Sequence, residues 1–196
     1  VGGRHRQRLR PAALVDEVQR TLIGGRVQKV AQTGPFAAAL EIYAGQRWGL
    51  LIDVKPQEPK LYLTRSLPAS DPDQVTPFLL LLRKYVRGAR LVAVEQVPLE
   101  RIARFRFATV LVEERRGDLE RKPVETELIV ELMGRHSNAI LVSADGHILD
   151  VLKRVPPTMS AARPVLPGRP YQPPPPQLKR DPRQLTADRV ASLLLE

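Results

Sequence analysis

Apolar residues recur along this chain at two different spacings. Near the start, Ala12, Ala13, Val15, Val18 and Leu22 fall on one helical face. Pro11 suits the first turn of such a helix, and Gly24–Gly25 would end it. The spacing then changes to two. Residues 27–30, 37–43, 48–54 and 60–63 read as strands, with Ala44–Gly45 as a turn between the second and third. Pro56, Pro59, Pro68, Pro72 and Pro77 mark loops. A second helix is predicted over about 75–86, with Leu79, Leu80, Leu81 and Leu82 inside. Arg83, Lys84 and Arg87 suit the negative end of its dipole, and Gly88 stops it.

The second half continues in period two. Residues 91–97, 101–107 and 110–114 read as strands, and Arg115, Arg116, Gly117 and Asp118 as a polar turn. Further strands are predicted at 126–133, 139–142 and 148–152, the last two joined by an Asp145–Gly146 hairpin turn. Two helices among many short antiparallel strands make an α+β domain over 11–155. Residues 1–10, with four arginines and two glycines, read as a disordered basic arm. From Pro156 the composition shifts, and residues 156–178 read as an extended Pro-rich linker. Beyond it, Thr186 is an N-cap candidate, and Val190, Leu193 and Leu194 give helical spacing. Residues 179–196 thus read as the start of a further helical region.

Charge narrows the class of partner. The 196 residues carry 31 Lys and Arg against 21 Asp and Glu, a formal net charge of +10. Nucleic acid is the first partner that such an excess implies and an anionic membrane surface the second; plain solubility is the alternative. The absence of cysteine removes disulfides, thiolate zinc sites, iron–sulfur clusters and cysteine nucleophiles. The longest apolar runs, at 36–40 and 78–82, fall far short of the roughly 20 residues of a membrane span. No apolar stretch follows the N-terminal arginines, so a cytoplasmic protein without a secretory signal is expected.

Enzyme chemistry finds little support. His5, His136 and His147 show no metal-ligand spacing, so no metal is expected. Ser137, His136 and Asp150 could nominally make a triad, but no G-x-S-x-G elbow frames the serine. Gly24–Gly25–Arg26 has neither P-loop nor dinucleotide-fold spacing. No catalytic residue, no cofactor and no enzymatic activity are therefore expected.

Polar connections and basic stripes carry more. The run Gly134–Arg135–His136–Ser137–Asn138 joins two apolar strands, where side chains can face a ligand or cap their own backbone. Arg83, Lys84, Arg87 and Arg90 cluster about one helix end. Arg104 and Arg106 share one strand face while Phe105 and Phe107 share the other. Arg83, Lys84, Arg87, Arg104 and Arg106 are candidate phosphate contacts; a merely solvated basic face is the alternative. Lys153 and Arg154 close a later strand. Glu100 and Arg101 follow Pro98 and, on local pattern, read as an exposed polar edge. An aromatic content of 5% does not favour a base-stacking platform.

Four segments in consistent order resemble the NFACT family N-terminal domain. Ala13 to Glu17 with Gly24–Gly25–Arg26–Val27–Gln28–Lys29–Val30 resembles its opening helix and first strand. Leu79 to Tyr85 with Gly88–Ala89–Arg90 resembles its second helix. Glu131–Leu132–Met133–Gly134–Arg135–His136–Ser137–Asn138 resembles its most distinctive motif. Leu166–Pro167–Gly168–Arg169–Pro170–Tyr171, followed by prolines, resembles the exit from the domain. The likeness covers about residues 12–178.

The resemblance implies an antiparallel β-sandwich-like domain with two flanking helices, similar to the N-terminal domain of formamidopyrimidine-DNA glycosylases. It makes 179–196 the start of a helix-hairpin-helix region. The family comprises ribosome quality control factors, some known as fibronectin-binding proteins, so the implied partners are tRNA and the large ribosomal subunit with a stalled nascent chain. The implied role is support of C-terminal alanine tailing, and a fibronectin-binding adhesin is the alternative. A tRNA-contacting Asp-Arg pair of the family falls on Glu100 and Arg101, where glutamate carries the carboxylate one methylene further out. The family's early aspartate would fall near Gln7, where no acidic residue stands. Glu131, Gly134, Arg135, His136, Ser137 and Asn138 match the motif without individual roles. Glycosylase activity is not expected: it would need an N-terminal proline amine, and here Val1–Gly2–Gly3 comes first and Pro11 is internal.

Overall fold

The computed structural model describes residues 11–70, 75–115 and 118–175. The expected basic arm at 1–10 and the helical start at 179–196 lie outside the described residues. Two helices, α1 (Pro11–Leu22) and α2 (Pro77–Tyr85), accompany nine strands. These are β1 (Arg26–Gly34), β2 (Ala37–Ala44), β3 (Gln46–Asp53), β4 (Lys60–Thr64) and β5 (Arg90–Gln96). They continue as β6 (Ile102–Arg115), β7 (Asp118–Glu131), β8 (Asn138–Ser143) and β9 (Ile148–Val151).

The helices form for the reasons their sequence supplies. Leu14, Val15, Val18 and Leu22 bury one face of α1, while Ala13 turns outward. Thr76 caps α2, its hydroxyl accepting from Leu79 N at 3.2 Å, and Pro77 fills the first position. Phe78, Leu79 and Leu82 face inward; Leu80, expected inside, is half exposed.

All strand pairs are antiparallel, in the order β4-β3-β2-β1-β5-β6-β7-β8-β9. The α+β class holds, and the sandwich-like arrangement takes the form of one continuous ladder. Its two halves meet at a short seam, where Arg26 and Arg90 are the one paired position. Gly24 N donates to Leu91 O at 2.8 Å, Leu91 N to Gly25 O at 2.9 Å and Gly88 N to Val27 O at 2.8 Å. Beside the seam, close packing against the end of α1 and β2 demands glycine at 25. A Cβ there would lie 2.8 Å from both the Leu22 carbonyl and Ile42 Cγ2.

One core takes residues from both halves and both helices, among them Leu22, Leu40, Ile52, Leu82, Phe105 and Leu141. A second, smaller core lies on the opposite face of β6–β9, around Ile102, Ile129, Ile140 and Val165. Period two explains the division: Ala103 and Phe105 point to the first core, and Ile102 and Arg104 to the other face.

Two expectations change here. Residues 101–107 and 110–114 are not separate strands but parts of the 14-residue β6, because no turn former interrupts the alternation. Its partner β7 begins at Asp118, well before the expected 126, through a charged run containing Pro123. The proline is tolerated because β8 pairs with β7 only from Thr126 onward. The Pro-rich segment differs more. It is no free extended linker up to Tyr171, so the domain boundary expected at 155 falls inside the packed unit. Val155 and Val165 pair backbone to backbone, and Ile148 N donates to Arg169 O at 2.8 Å. Tyr171 N donates to Gly146 O at 2.8 Å. Apolar Val165 and Tyr171 cover the second core, which would otherwise face water.

Candidate nucleic-acid interface

Two connections meet at one end of the sheet. The first, between β5 and β6, holds Glu100 and Arg101. Gln96 Nε2 donates to Glu100 O at 2.8 Å, Val97 N to Ile102 O at 3.0 Å and Glu100 N to Val97 O at 3.1 Å. Leu99 adopts φ 60°, a left-handed conformation that branched side chains rarely take. The loop is therefore a fixed turn, and Arg101 leaves it exposed.

The second connection, between β7 and β8, is the 134–138 motif. Leu132 N donates to Arg101 O at 2.9 Å, which joins the two connections directly. Gly134 has φ +55° and starts a single tight turn to His136, closed by Ser137 N donating to Gly134 O at 3.0 Å. Arg135 and His136 are exposed, with Arg135 Nε donating to His136 Nε2 at 2.9 Å.

The remaining motif residues hold this turn in place. Asn138 is buried and clamps the end of β9: its Nδ2 donates to Lys153 O at 2.7 Å, and its Oδ1 accepts from Lys153 N and Ala139 N. The Lys153 ammonium in turn donates to Arg135 O at 2.6 Å, and burial holds its pKa below the usual lysine value. Ser137 Oγ is buried without a hydrogen-bond partner among the described residues. Glu131 is wholly buried and accepts from Arg163 Nη1 at 3.0 Å, Arg163 Nη2 at 2.5 Å and Tyr171 OH at 3.0 Å. Burial, then the charge of Glu131, raises the Tyr171 pKa well above the usual phenol range. The motif thus has a buried part, Glu131, Ser137 and Asn138, and an exposed part, Arg135 and His136, in a connection whose backbone is bonded to Arg101 O through Leu132 N.

The nominal triad does not assemble. Ser137 is buried, His136 faces out against Arg135, and Asp150 lies 3.6 Å from Arg154.

The candidate phosphate contacts separate into two groups. Arg104 makes a bidentate pair with Glu127, at 3.0 and 2.5 Å, and this hydrogen bonding raises its pKa. Arg106 meets Glu95 at 3.4 Å. Arg104 is largely compensated before any ligand arrives, whereas the exposed Arg106–Glu95 contact compensates Arg106 only weakly. Arg83, Lys84 and Arg87 lie at the opposite end of β5 from Arg101, exposed, and no described carboxylate pairs with them. Sequence reasoning missed Arg163 and Tyr171, which anchor Glu131. Tyr171 closes the Leu166–Tyr171 exit segment that the sequence marks; Arg163, three residues before that segment, carries no local signal.

Known proteins share the family and the fold of this chain. The family described as NFACT N-terminal and middle domains matches residues 10–196. The Rqc2 homolog RqcH of Streptococcus pneumoniae is 32% identical over 183 residues, covering 92% of this chain and 32% of that protein. RqcH of Bacillus subtilis is 32% identical over 179 residues, covering 90% and 30%. The chain spans about a third of the length of these relatives. Among solved structures, the N-terminal domain of fibronectin-binding protein PavA from Streptococcus pneumoniae superposes with TM-score 0.78 at 30% identity, covering 94% of this chain and 67% of that one. The N-terminal part of the fibronectin/fibrinogen-binding protein from Streptococcus suis gives 0.76 at 30%, covering 92% and 66%.

Proposed function

Because the chain belongs to the NFACT family, we propose that it is the tRNA- and large-subunit-binding part of a cytoplasmic ribosome quality control factor. In this reading it supports C-terminal alanine tailing of stalled nascent chains without catalysing a bond itself; the protein positions tRNA and the ribosome performs peptide transfer. The observation that carries the reading is the joining of two connections through Leu132 N and Arg101 O. It sets Arg101, Arg135, His136 and Lys153 on one rigid end of the sheet. Arginines held this way contact phosphate and base edges with little ordering cost.

The test is tRNA binding by the chain across a salt series, beside Arg101→Ala and a duplex DNA control. The expected result is preference for tRNA, and a loss for Arg101→Ala of about 1–3 kcal/mol, the range of a specific contact. Equal binding of tRNA and DNA, with Arg101→Ala changing only the salt slope, would overturn the assignment of tRNA recognition to this end.

A second reading follows from the fibronectin-binding names of PavA and the Streptococcus suis protein. It makes the chain part of a surface adhesin. Saturable capture of fibronectin by the chain, together with its display on intact cells, would favour that reading over tRNA positioning.

A further inference from the structure

Arg26 begins β1, Arg90 begins β5, and the two face each other as direct cross-strand partners. Like charges so placed destabilise a sheet. Both are exposed, and no described carboxylate pairs with either. Each is instead tied to a backbone carbonyl across the seam. Arg26 Nε donates to Gly88 O at 3.1 Å, and Arg90 Nη1 donates to Gly24 O at 3.0 Å. A carbonyl orients a guanidinium without neutralising it, and the remaining N–H groups of each fork stay available. Arg87, also exposed, precedes Gly88 in the turn that leaves α2. The dipole of α2 accounts for Arg83 and Lys84 in its last turn. It does not account for two arginines on neighbouring strands.

Oriented, uncompensated guanidiniums in close company are a phosphate receptor. The geometry points to a clamp formed by Arg26 and Arg90 at the β1–β5 seam, with Arg87 adding charge from the preceding turn, which grips the phosphodiester backbone of RNA without reading its sequence. The clamp and Arg101 stand at opposite ends of β5, about 23 Å apart at the usual strand rise. The choice of RNA over other polyanions rests on the proposed function; the clamp's taste for phosphate does not. Two phosphate contacts removed together reduce the salt dependence of binding by about two units of slope.

The experiment measures binding of total tRNA and of a short RNA duplex of unrelated sequence across a salt series. It uses the chain, an Arg26→Gln/Arg90→Gln double variant, Arg87→Gln and Arg101→Ala. The double variant is expected to weaken both RNAs equally and to flatten both slopes by about two, and Arg87→Gln by about one. Melting temperatures check folding: the double variant should match or exceed the parent, since a like-charge pair is gone. Unchanged slopes in the double variant would overturn the clamp. So would phosphatidylglycerol vesicles that bind with the same arginine dependence while RNA does not. If tRNA is not preferred over the unrelated duplex but the double variant still flattens the duplex slope, the tRNA assignment fails and the clamp stands.

Discussion

On the outer face of β6–β8, Arg104 and Arg163 each meet a carboxylate in a bidentate pair; at the β1–β5 seam, Arg26 and Arg90 meet each other. The residue type is the same and the consequence is opposite. Where a glutamate, buried at 131 and half-buried at 127, meets the guanidinium in a bidentate pair, the arginine is part of the fold: its charge balances that carboxylate and is spent within the protein. Where only carbonyls face it, the charge remains to act on something outside. Counting basic residues therefore overstates a nucleic-acid surface, and the partner of each arginine decides whether it belongs to the count.

The largest expected effect sharpens this contrast on the paired side. Arg163→Ala leaves the Glu131 carboxylate buried without its partner, and urea unfolding should show a loss of about 3–5 kcal/mol. Replacing both, as Glu131→Leu with Arg163→Met, should recover most of that loss, because no stranded charge remains. If Arg163→Ala alone unfolds like the parent, Glu131 finds other compensation and the paired side is not structural.

Tyr171→Phe is the next step down. It deletes one hydrogen bond to a charged acceptor and should cost about 1.5–3 kcal/mol in the same assay. The phenol also carries a pH signature. Its folded-state pKa is raised by burial and by Glu131. Its stabilisation is thus complete below the unfolded value of about 10 and is lost as pH rises past it. The parent should lose stability more steeply above about pH 10 than Tyr171→Phe does. Parallel curves would mean a solvated phenol.

On the unpaired side the effects on folding should nearly vanish. Arg101→Ala and Arg26→Gln/Arg90→Gln, all exposed, should stay within about 0.5 kcal/mol of the parent by thermal unfolding. A large loss in either would make those arginines structural and erase the comparison.

Much of this molecule was legible in period alone. The helix face of Val15, Val18 and Leu22, and the alternation of Phe105 and Phe107 against Arg104 and Arg106, read directly as buried and outward sides. The 131–138 motif is distinctive in its residues alone. The outer half of β7 did not, since Asp118 to Glu125 contains no apolar alternation and is held by β6 alone. The Pro-rich run hid a packed segment for a related reason: besides its local turns, its hydrogen bonds reach Ile148 and Gly146, about 20 residues or more away.

The sequence by itself determined the two helices, the apolar faces of most strands, and the family motif that sits between β7 and β8. Only the tertiary structure decided what that motif does. Glu131 and Arg163 are 32 residues apart and Arg104 and Glu127 are 23 apart. Period two tells which face a side chain takes, but the register of the whole ladder and the path of residues 156–171 choose its partner. Electrostatic pairing falls off within a few ångströms in water-screened protein. Whether an arginine stabilises the fold or remains for a ligand therefore depends on contacts no local pattern contains.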